Sequence, residues 1–276
     1  MDSAGVDKSI VYADVNEEVY KMVEPYRDRF ILFARVHLNG DIQKATSDLE
    51  YCVGSLGFKG IGEIFPTGSH FDMSDFNRLD AFFSRAIELD IPISWDLKEG
   101  AKTNIEGRYR SLFSGFSKMQ EICFRYPESK HIICHSGGLD HYVRALSTLS
   151  YYKNVYFDLS ELSSSLIWKF MTPTWKIEFP SGIPRELGLL LSFLYPEKSD
   201  YRLANRDYVK DKVGENVVDI FREAANMLPD RILFASDSPV VGRMDFEREF
   251  CQRAFGHDRA LLKHVLGGNA ERLLGI

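Results

Sequence analysis

The chain has 276 residues, of which 45% are hydrophobic and 13% aromatic, and this is enough apolar material to bury a large core. A formal net charge of −6, with charges of both signs interspersed, excludes a general nucleic-acid binder, which would carry a basic face. No apolar run approaches the roughly 18 residues that cross a bilayer, and the polar amino terminus lacks a signal-peptide core, so we expect a folded cytoplasmic protein without a membrane or nucleic-acid partner.

Short apolar, β-branched segments alternate with longer amphipathic ones, a pattern typical of βα units that form a parallel sheet. The predicted strands cover residues 9–14, 30–37, 59–65, 91–97, 131–136, 155–160 and 231–237. The predicted helices cover residues 42–56, 74–89, 112–126, 139–151, 216–227 and 259–274. An open doubly wound sheet usually has about five or six strands and a glycine-rich turn after the first, which is absent here. The sequence therefore predicts an α/β fold of the (β/α)8 TIM-barrel type that lacks its first strand, since seven strands are recognised.

A long segment, 163–212, separates the sixth predicted strand from the next predicted helix. Segments of this length inside a compact domain are usually functional or locally folded. This one is rich in aromatic residues, among them Trp175, and it fits a cover over an active site as well as a subunit contact in a homodimer. The predicted organisation is one domain over residues 1–276 with this segment as an insertion.

Four predicted strands carry a polar residue late in an otherwise apolar run, namely Glu63, Asp96, His135 and Asp237. The carboxyl ends of the strands meet at one mouth of a βα barrel, so we expect these side chains to converge there. Each residue alone has an ordinary structural explanation, such as a hydrogen-bonded core histidine or an aspartate that caps the next helix. Together, the carboxylates would repel one another unless a cation or a shared proton compensated their charge.

Oxygen and nitrogen ligands of this kind suit zinc, manganese or another divalent ion, which turns a bound water into a nucleophile near neutral pH. In this hypothesis His135 and Asp237 hold the ion, Asp96 assists, and Glu63 is a fourth ligand. Asp237 would also take the proton of the water. Weaker candidates lie near other strand ends: His37, His70, Asp158 and Glu161. His131 opens its strand at the opposite end, so we expect it to be structural.

Four stretches carry a more specific signal: MDSAGVDKSIVYA, HIICHSGG, RILFASDSP and GGNAERLLGI. In this order and spacing they resemble the amidohydrolase-related family of βα-barrel metal enzymes, which includes small decarboxylases and hydratases as well as hydrolases. The resemblance covers essentially the whole chain. It implies that His135 contacts metal or substrate and that Asp237 is the catalytic acid/base and often a ligand. Glu63 occupies a position where some members place a polar group in the site.

Two departures from the family pattern bear on the chemistry. Members usually begin with a strand bearing His-x-His, whereas this chain starts at the helix after it, and Asp96 stands where the family usually supplies another metal-binding histidine. Three explanations are open. The chain is a fragment whose first strand lies upstream, or a degenerate homologue that binds a ligand without catalysis. The third is a metal-independent enzyme in which Asp237 activates water directly.

The expected function is metal-assisted hydrolysis, or decarboxylation, of a small carboxylated molecule, with zinc as the expected ion. Arg243 and Arg108, in loops that face the predicted barrel mouth, are candidates to anchor a substrate carboxylate. Trp175 is a further candidate for substrate binding. The rival hypothesis is a non-catalytic ligand-binding or assembly protein that uses the 163–212 segment as a subunit interface.

Overall fold

The structure is a computed structural model, and it describes residues 1–66, 71–97, 115–137, 142–160, 214–237 and 244–276. Its strands are β1 Ser9–Val11, β2 Phe30–Ala34, β3 Gly60–Ile64, β4 Pro92–Trp95, β5 Lys130–Ile133, β6 Val155–Asp158 and β7 Ile232–Leu233. They form one parallel sheet in which each strand pairs with the next, and β1 and β7 lie at its two ends. The prediction of seven strands in a parallel α/β fold is confirmed.

Helices follow most of the strands, and all but the last of them pack against one face of the sheet. They are α1 Asn16–Val23, α2 Ile42–Gly54, α3 Phe76–Glu88, α4 Phe116–Arg125, α5 Tyr142–Leu149, α6 Gly214–Met227, α7 Met244–Phe255, α8 Arg259–Lys263 and α9 Asn269–Leu274. A π-helical turn, His264–Gly268, joins α8 to α9, so the predicted helix over 259–274 is one run with an interruption. Within the described ranges, no helix is both long and apolar enough to cross a membrane.

Two helices, α1 and α7, were not among those predicted. Only Val19 and Val23 of α1 are buried, so its apolar stripe is short. The first half of α7 is rich in charged residues, and its buried Phe250, Cys251 and Phe255 all lie in its second half. In both cases, too few apolar positions recur at helical spacing for the pattern to stand out.

The other helices follow the sequence pattern closely. Leu79, Phe82, Phe83 and Ala86 recur at helical spacing in α3 and are all buried. The start of α2 is fixed by Asp41, whose side chain accepts hydrogen bonds from the backbone N–H groups of Gln43 and Lys44. Ends and apolar faces of this kind are set by local sequence, which is why these helices lie where they were expected.

The two faces of the sheet carry separate apolar clusters. Leu32, Ala34, Ile133 and Ile232 belong to the large cluster that includes the helices. Their strand neighbours Phe33, Ile132 and Leu233 form a smaller cluster with Leu273 of α9. Successive side chains of a strand point to opposite faces, so the smaller cluster marks the inner face. Side chains two residues further along the strands on this face therefore lie above the small cluster, at the carboxyl ends.

His131 lies on the helix side of β5 and is fully buried. Its Nδ1 accepts a hydrogen bond of 3.2 Å from Trp95 Nε1, and its Nε2 has no hydrogen-bond partner among the described residues. Burial lowers the pKa of this imidazole from its ordinary value of 6.5 to about 3. The residue is therefore a neutral component of the core, as expected from its place at the start of the strand.

Acid is expected to destabilise the protein through His131. The unfolded chain takes up a proton near the ordinary pKa of 6.5 and the folded chain does so only at about 3. The contribution of His131 to the free energy of unfolding is therefore complete above pH 6.5. It falls by about 1.4 kcal/mol per pH unit as the pH drops from 6.5 toward 3. Urea unfolding at several pH values between 7.5 and 4.5 measures the slope. His131→Gln should make the free energy of unfolding less dependent on pH. His257→Gln, at an exposed histidine, is the control and should leave most of the pH dependence in place.

Candidate metal centre

Three side chains of metal-ligand type meet at the carboxyl ends of β3, β4 and β5. The ligand atoms of Glu63, Asp96 and His135 all lie within 4.8 Å of one another, and in the part of the chain that is described they are the one such group found. Asp96 is 2% exposed and His135 is 5% exposed, while the side chain of Glu63 is 17% exposed. Two carboxylates and an imidazole thus share a small, largely dry space.

Glu63 reaches the inner face through an irregularity in β3. Ile61 and Ile64 both pack on the helix side, although strict alternation would place them on opposite faces. The register between β3 and β4 shifts between these two residues. Irregularities of this kind re-aim side chains at strand ends. Asp96 needs no such device, because Trp95 is in the helix-side cluster and its neighbour therefore faces inward.

His135 is placed by a left-handed turn rather than by a strand. The predicted strand 131–136 ends at Ile133, and His135 and Ser136 follow with φ values of 56° and 48°. This conformation costs about 1 kcal/mol or more for a residue with a Cβ, and it persists only where the surroundings enforce it. Asp158 of β6 supplies the restraint. Its Oδ1 accepts a 2.8 Å hydrogen bond from the His135 N–H, and its backbone oxygen accepts a 2.6 Å bond from Ser136 Oγ.

Gly137 completes this turn, and its lack of a side chain serves packing. Its φ is +85°, and an added Cβ would lie 2.8 Å from Cζ of Phe116 and 3.0 Å from Cβ of Ala145. The close approach is to α4 and α5, so the glycine lets these helices support the turn that carries His135.

Gly137→Ala is expected to lower the free energy of unfolding by roughly 1–3 kcal/mol, because the new methyl group overpacks the helix contact and strains a left-handed residue. Urea-induced unfolding, followed by circular dichroism, measures the change. Gly54→Ala is the matched control, since nothing lies within 4 Å of the added Cβ. Equal stability of the two variants would contradict this explanation of Gly137.

Polar contacts fix the orientation of the group. His135 Nε2 lies 3.4 Å from Glu63 Oε1, and its Nδ1 lies 2.8 Å from Ser160 Oγ. Tyr12 at the end of β1 donates its hydroxyl to Glu63 Oε2 at 3.4 Å. Arg35 at the end of β2 donates to the backbone oxygen of Glu63 at 2.9 Å. The carboxyl ends of β1 to β6 all contribute to one polar mouth.

The mouth is strongly acidic. Burial, followed by the negative charge of Glu63 and of other groups including Asp237, raises the pKa of the Tyr12 hydroxyl well above its ordinary value, although 38% of the residue is exposed. Burial and then Glu63 likewise raise the pKa of the Cys134 thiol, which lies 2.9 Å from Ser94 Oγ. Tyr12 and Cys134 therefore stay protonated, and neither adds negative charge to the group.

Asp237 lies four residues beyond the end of β7, in a left-handed conformation with φ 52°. It is partly buried, and its charge contributes to the raised pKa of Tyr12, so it faces the same mouth. Its carboxylate is not among the ligand atoms that lie within 4.8 Å of one another. The structure thus brings three of the four main candidate residues together and leaves Asp237 at the side of the group.

The remaining candidates are divided between exposed and undescribed positions. His37 is exposed. The residues Arg108, Trp175, Arg243, His70 and Glu161 lie outside the described residues, as does the 163–212 insertion.

Sequence reasoning missed Tyr12, Arg35 and Ser160 as members of the mouth. For the first two a signal exists, because each lies two residues after a side chain of the inner-face cluster, Ile10 and Phe33 respectively. Counting in steps of two from an inward apolar residue would have found them. Ser160 lies four residues after Tyr156 of the same cluster, but it is beyond the end of β6, where strand alternation no longer sets the direction of a side chain, and it contacts His135 across the mouth.

The donor set fits a divalent metal ion. Two ligands of one tetrahedral zinc ion lie about 3.4 Å apart when each bond is about 2.1 Å long. His135 Nε2 and Glu63 Oε1 are separated by 3.4 Å, and Asp96 lies within 4.8 Å of both. Imidazole and carboxylate ligands suit zinc and manganese. A cation would also offset the repulsion between two largely buried carboxylates.

A family model described as amidohydrolase matches residues 3–276 of the chain. A search of the curated proteins finds no significant match.

Solved structures of similar fold span almost all of this chain. An uncharacterised TIM-barrel protein from Bordetella bronchiseptica is 14% identical, with a TM-score of 0.58, and the match covers 100% of this chain and 80% of that one. A 5-carboxyvanillate decarboxylase from Novosphingobium aromaticivorans, with bound manganese, is 16% identical, with a TM-score of 0.62 and coverages of 100% and 79%. A probable 2-pyrone-4,6-dicarboxylic acid hydrolase from Acinetobacter baumannii is 15% identical, with a TM-score of 0.56 and coverages of 100% and 86%. These likenesses show a fold of the TIM-barrel type.

Proposed function

The chain belongs to the amidohydrolase family, and from that premise we propose that it is a metal-dependent enzyme that hydrolyses or decarboxylates a small carboxylated molecule. One observation carries the proposal: Glu63, Asp96 and His135 lie within 4.8 Å of one another at the carboxyl ends of three neighbouring strands. That is the edge at which barrel enzymes of this type carry out their chemistry. The decarboxylase and the hydrolase of similar fold both act on carboxylated compounds, as their names state, and this supports the substrate class.

Glu63, Asp96 and His135 are the residues that would hold the ion. Zinc is our first proposal because carboxylate and imidazole ligands suit it, and manganese, which the decarboxylase structure contains, is the alternative. When bound, such an ion acts as a Lewis acid that polarises a carbonyl oxygen or lowers the pKa of a water.

Asp237 is the proposed proton carrier. In hydrolysis it would take a proton from the attacking water and pass it to the leaving group, so that one water is added across the broken bond. In decarboxylation the C–C bond breaks, carbon dioxide leaves, and Asp237 would supply the proton that replaces the carboxyl group. A role as a metal ligand was also expected of Asp237. Because its carboxylate lies outside the close group, we assign it proton transfer alone.

Arg35 is a further candidate to bind the substrate carboxylate, in addition to Arg108 and Arg243. Its guanidinium lies at the mouth, where it donates to the backbone oxygen of Glu63, and its side chain keeps 27% of its surface exposed. A guanidinium offers planar, charge-assisted hydrogen bonds to a carboxylate. Tyr12 stays protonated at the same mouth, where its hydroxyl donates to Glu63 Oε2.

We also propose that residues 1–276 form a single domain and that the protein is a homodimer. A cytoplasmic location is supported by the four cysteines, which are buried and free of disulfides.

A substrate panel tests the proposed function. The purified full chain, loaded with Zn²⁺ or Mn²⁺, is incubated with hydroxybenzoic acids, carboxylated phenols and pyrone dicarboxylates, and products are identified by mass spectrometry. Loss of carbon dioxide or addition of water to one class, abolished by a chelator, is the expected result. Binding of an acid without conversion, with or without metal, would favour the non-catalytic ligand-binding alternative.

A further inference from the structure

The hydrogen bonds around Asp158 have a fixed direction. Asp158 Oδ1 accepts from the backbone N–H groups of His135 at 2.8 Å and Ser160 at 3.0 Å, and also from the Ser160 hydroxyl. Two N–H donors already point at this oxygen, so it cannot itself carry a proton toward the serine. The single proton of the Ser160 hydroxyl must therefore lie between the serine and Asp158.

This direction determines what His135 can do. Ser160 Oγ lies 2.8 Å from His135 Nδ1, and its only proton is directed at Asp158. The serine oxygen can then only accept, so Nδ1 must donate an N–H to it. In a neutral imidazole the other nitrogen, Nε2, is left without a proton. This is the nitrogen that faces Glu63 Oε1 across 3.4 Å, where a cation fits between the two atoms.

We propose that Ser160 and Asp158 are positioning residues that hold His135 in the tautomer with its proton on Nδ1, so that Nε2 is presented as a ligand. The metal-binding role of this arrangement rests on the proposed function. The position of the proton on His135 does not, because it is a property of the metal-free chain. Both residues are buried, Ser160 at 3% and Asp158 at 8% exposure, so water does not compete for these hydrogen bonds. Outer partners of this kind orient metal-binding histidines in general.

Nitrogen NMR of the metal-free protein tests the tautomer. The full chain is labelled with ¹⁵N-histidine, stripped of metal with a chelator and studied at pH 8, where long-range proton–nitrogen spectra distinguish protonated from unprotonated ring nitrogens. The signals of His135 are those that vanish in His135→Gln. A protonated Nδ1 is the expected pattern. An Nδ1 without a proton would overturn the proposal.

Ser160→Ala tests the cause. Without the serine oxygen, Nδ1 loses its acceptor, and we expect the proton to move at least partly to Nε2, where Glu63 can accept it. The affinity for Mn²⁺, measured by titration, should fall roughly ten- to hundredfold. Ser147→Ala, on the exposed side of α5, is the matched control and should change neither result.

Each outcome has a separate meaning. An unchanged His135 spectrum in Ser160→Ala would overturn the role of the serine, even if the wild-type tautomer is as expected. If Ser160→Ala does not fold, the wild-type spectrum alone decides whether Nδ1 carries the proton. Failure of the wild type to bind metal or turn over substrate would contradict the proposed function while leaving the NMR result intact.

Discussion

Replacing Asp237 with asparagine is expected to lower turnover of a substrate by about 10²- to 10⁴-fold, the usual contribution of a positioned acid or base. The carboxamide has nearly the same shape but cannot take up or release a proton at neutral pH. Asparagine also tolerates the left-handed conformation found at this position, so the backbone should be unchanged. Steady-state kinetics with the substrate found in the panel measures the loss.

The same variant should keep its metal. The Asp237 carboxylate is not in the close group of ligand atoms, so the affinity of the variant for Mn²⁺ should stay within a few-fold of the wild-type value. Asp230→Asn is the matched control, because this exposed aspartate lies just before β7, at the opposite end of the strand. Unchanged turnover in Asp237→Asn would refute the assignment of proton transfer. If Asp237→Asn instead failed to bind the ion, Asp237 would be one of the metal ligands.

Replacing Asp96 with asparagine is expected to weaken divalent-metal binding by more than the roughly ten- to hundredfold that changes to outer residues cost. Asp96 is one of three clustered potential ligands, and the substitution removes its negative charge from a site that is 2% exposed at this residue. Activity should fall in parallel at limiting metal. Isothermal titration with Zn²⁺ and Mn²⁺ measures the affinity.

Stability gives an independent readout of Asp96. Added Zn²⁺ or Mn²⁺ should raise the Tm of the wild type, because an ion that binds only the folded chain stabilises it, and should raise the Tm of Asp96→Asn much less. Asp90→Asn, at the amino-terminal end of the same strand, should respond to the ion as the wild type does. If the ion raised the Tm of Asp96→Asn by as much as that of the wild type, the result would contradict the proposed site.

The fold was predictable because its signals are local. All seven strands are short apolar runs, and their existence and order follow from those runs and from the amphipathic segments between them. Their ends were less predictable. The predicted strand 231–237 retains only Ile232–Leu233 in the sheet, because the chain turns away and reaches a left-handed residue at Asp237.

The site was predictable only in part. Asp96 follows from alternation along a strand, whereas Glu63 depends on a register shift between two strands that no local pattern reveals. The left-handed turn at His135 and its bond to Ser160 join residues 25 positions apart, through an aspartate on the neighbouring strand. Contacts of this kind depend on how strands assemble, and a single sequence carries no direct record of them.

The central claim is that Glu63, Asp96 and His135 hold a metal ion, and the metal content of the purified full chain tests it most directly. The protein is dialysed against Zn²⁺ or Mn²⁺, freed of unbound ion and analysed by plasma mass spectrometry beside the triple variant Glu63→Gln, Asp96→Asn, His135→Gln. We predict about one ion per wild-type chain and none in the triple variant. A wild-type chain that retains no ion, or a triple variant that retains as much as wild type, would contradict the account.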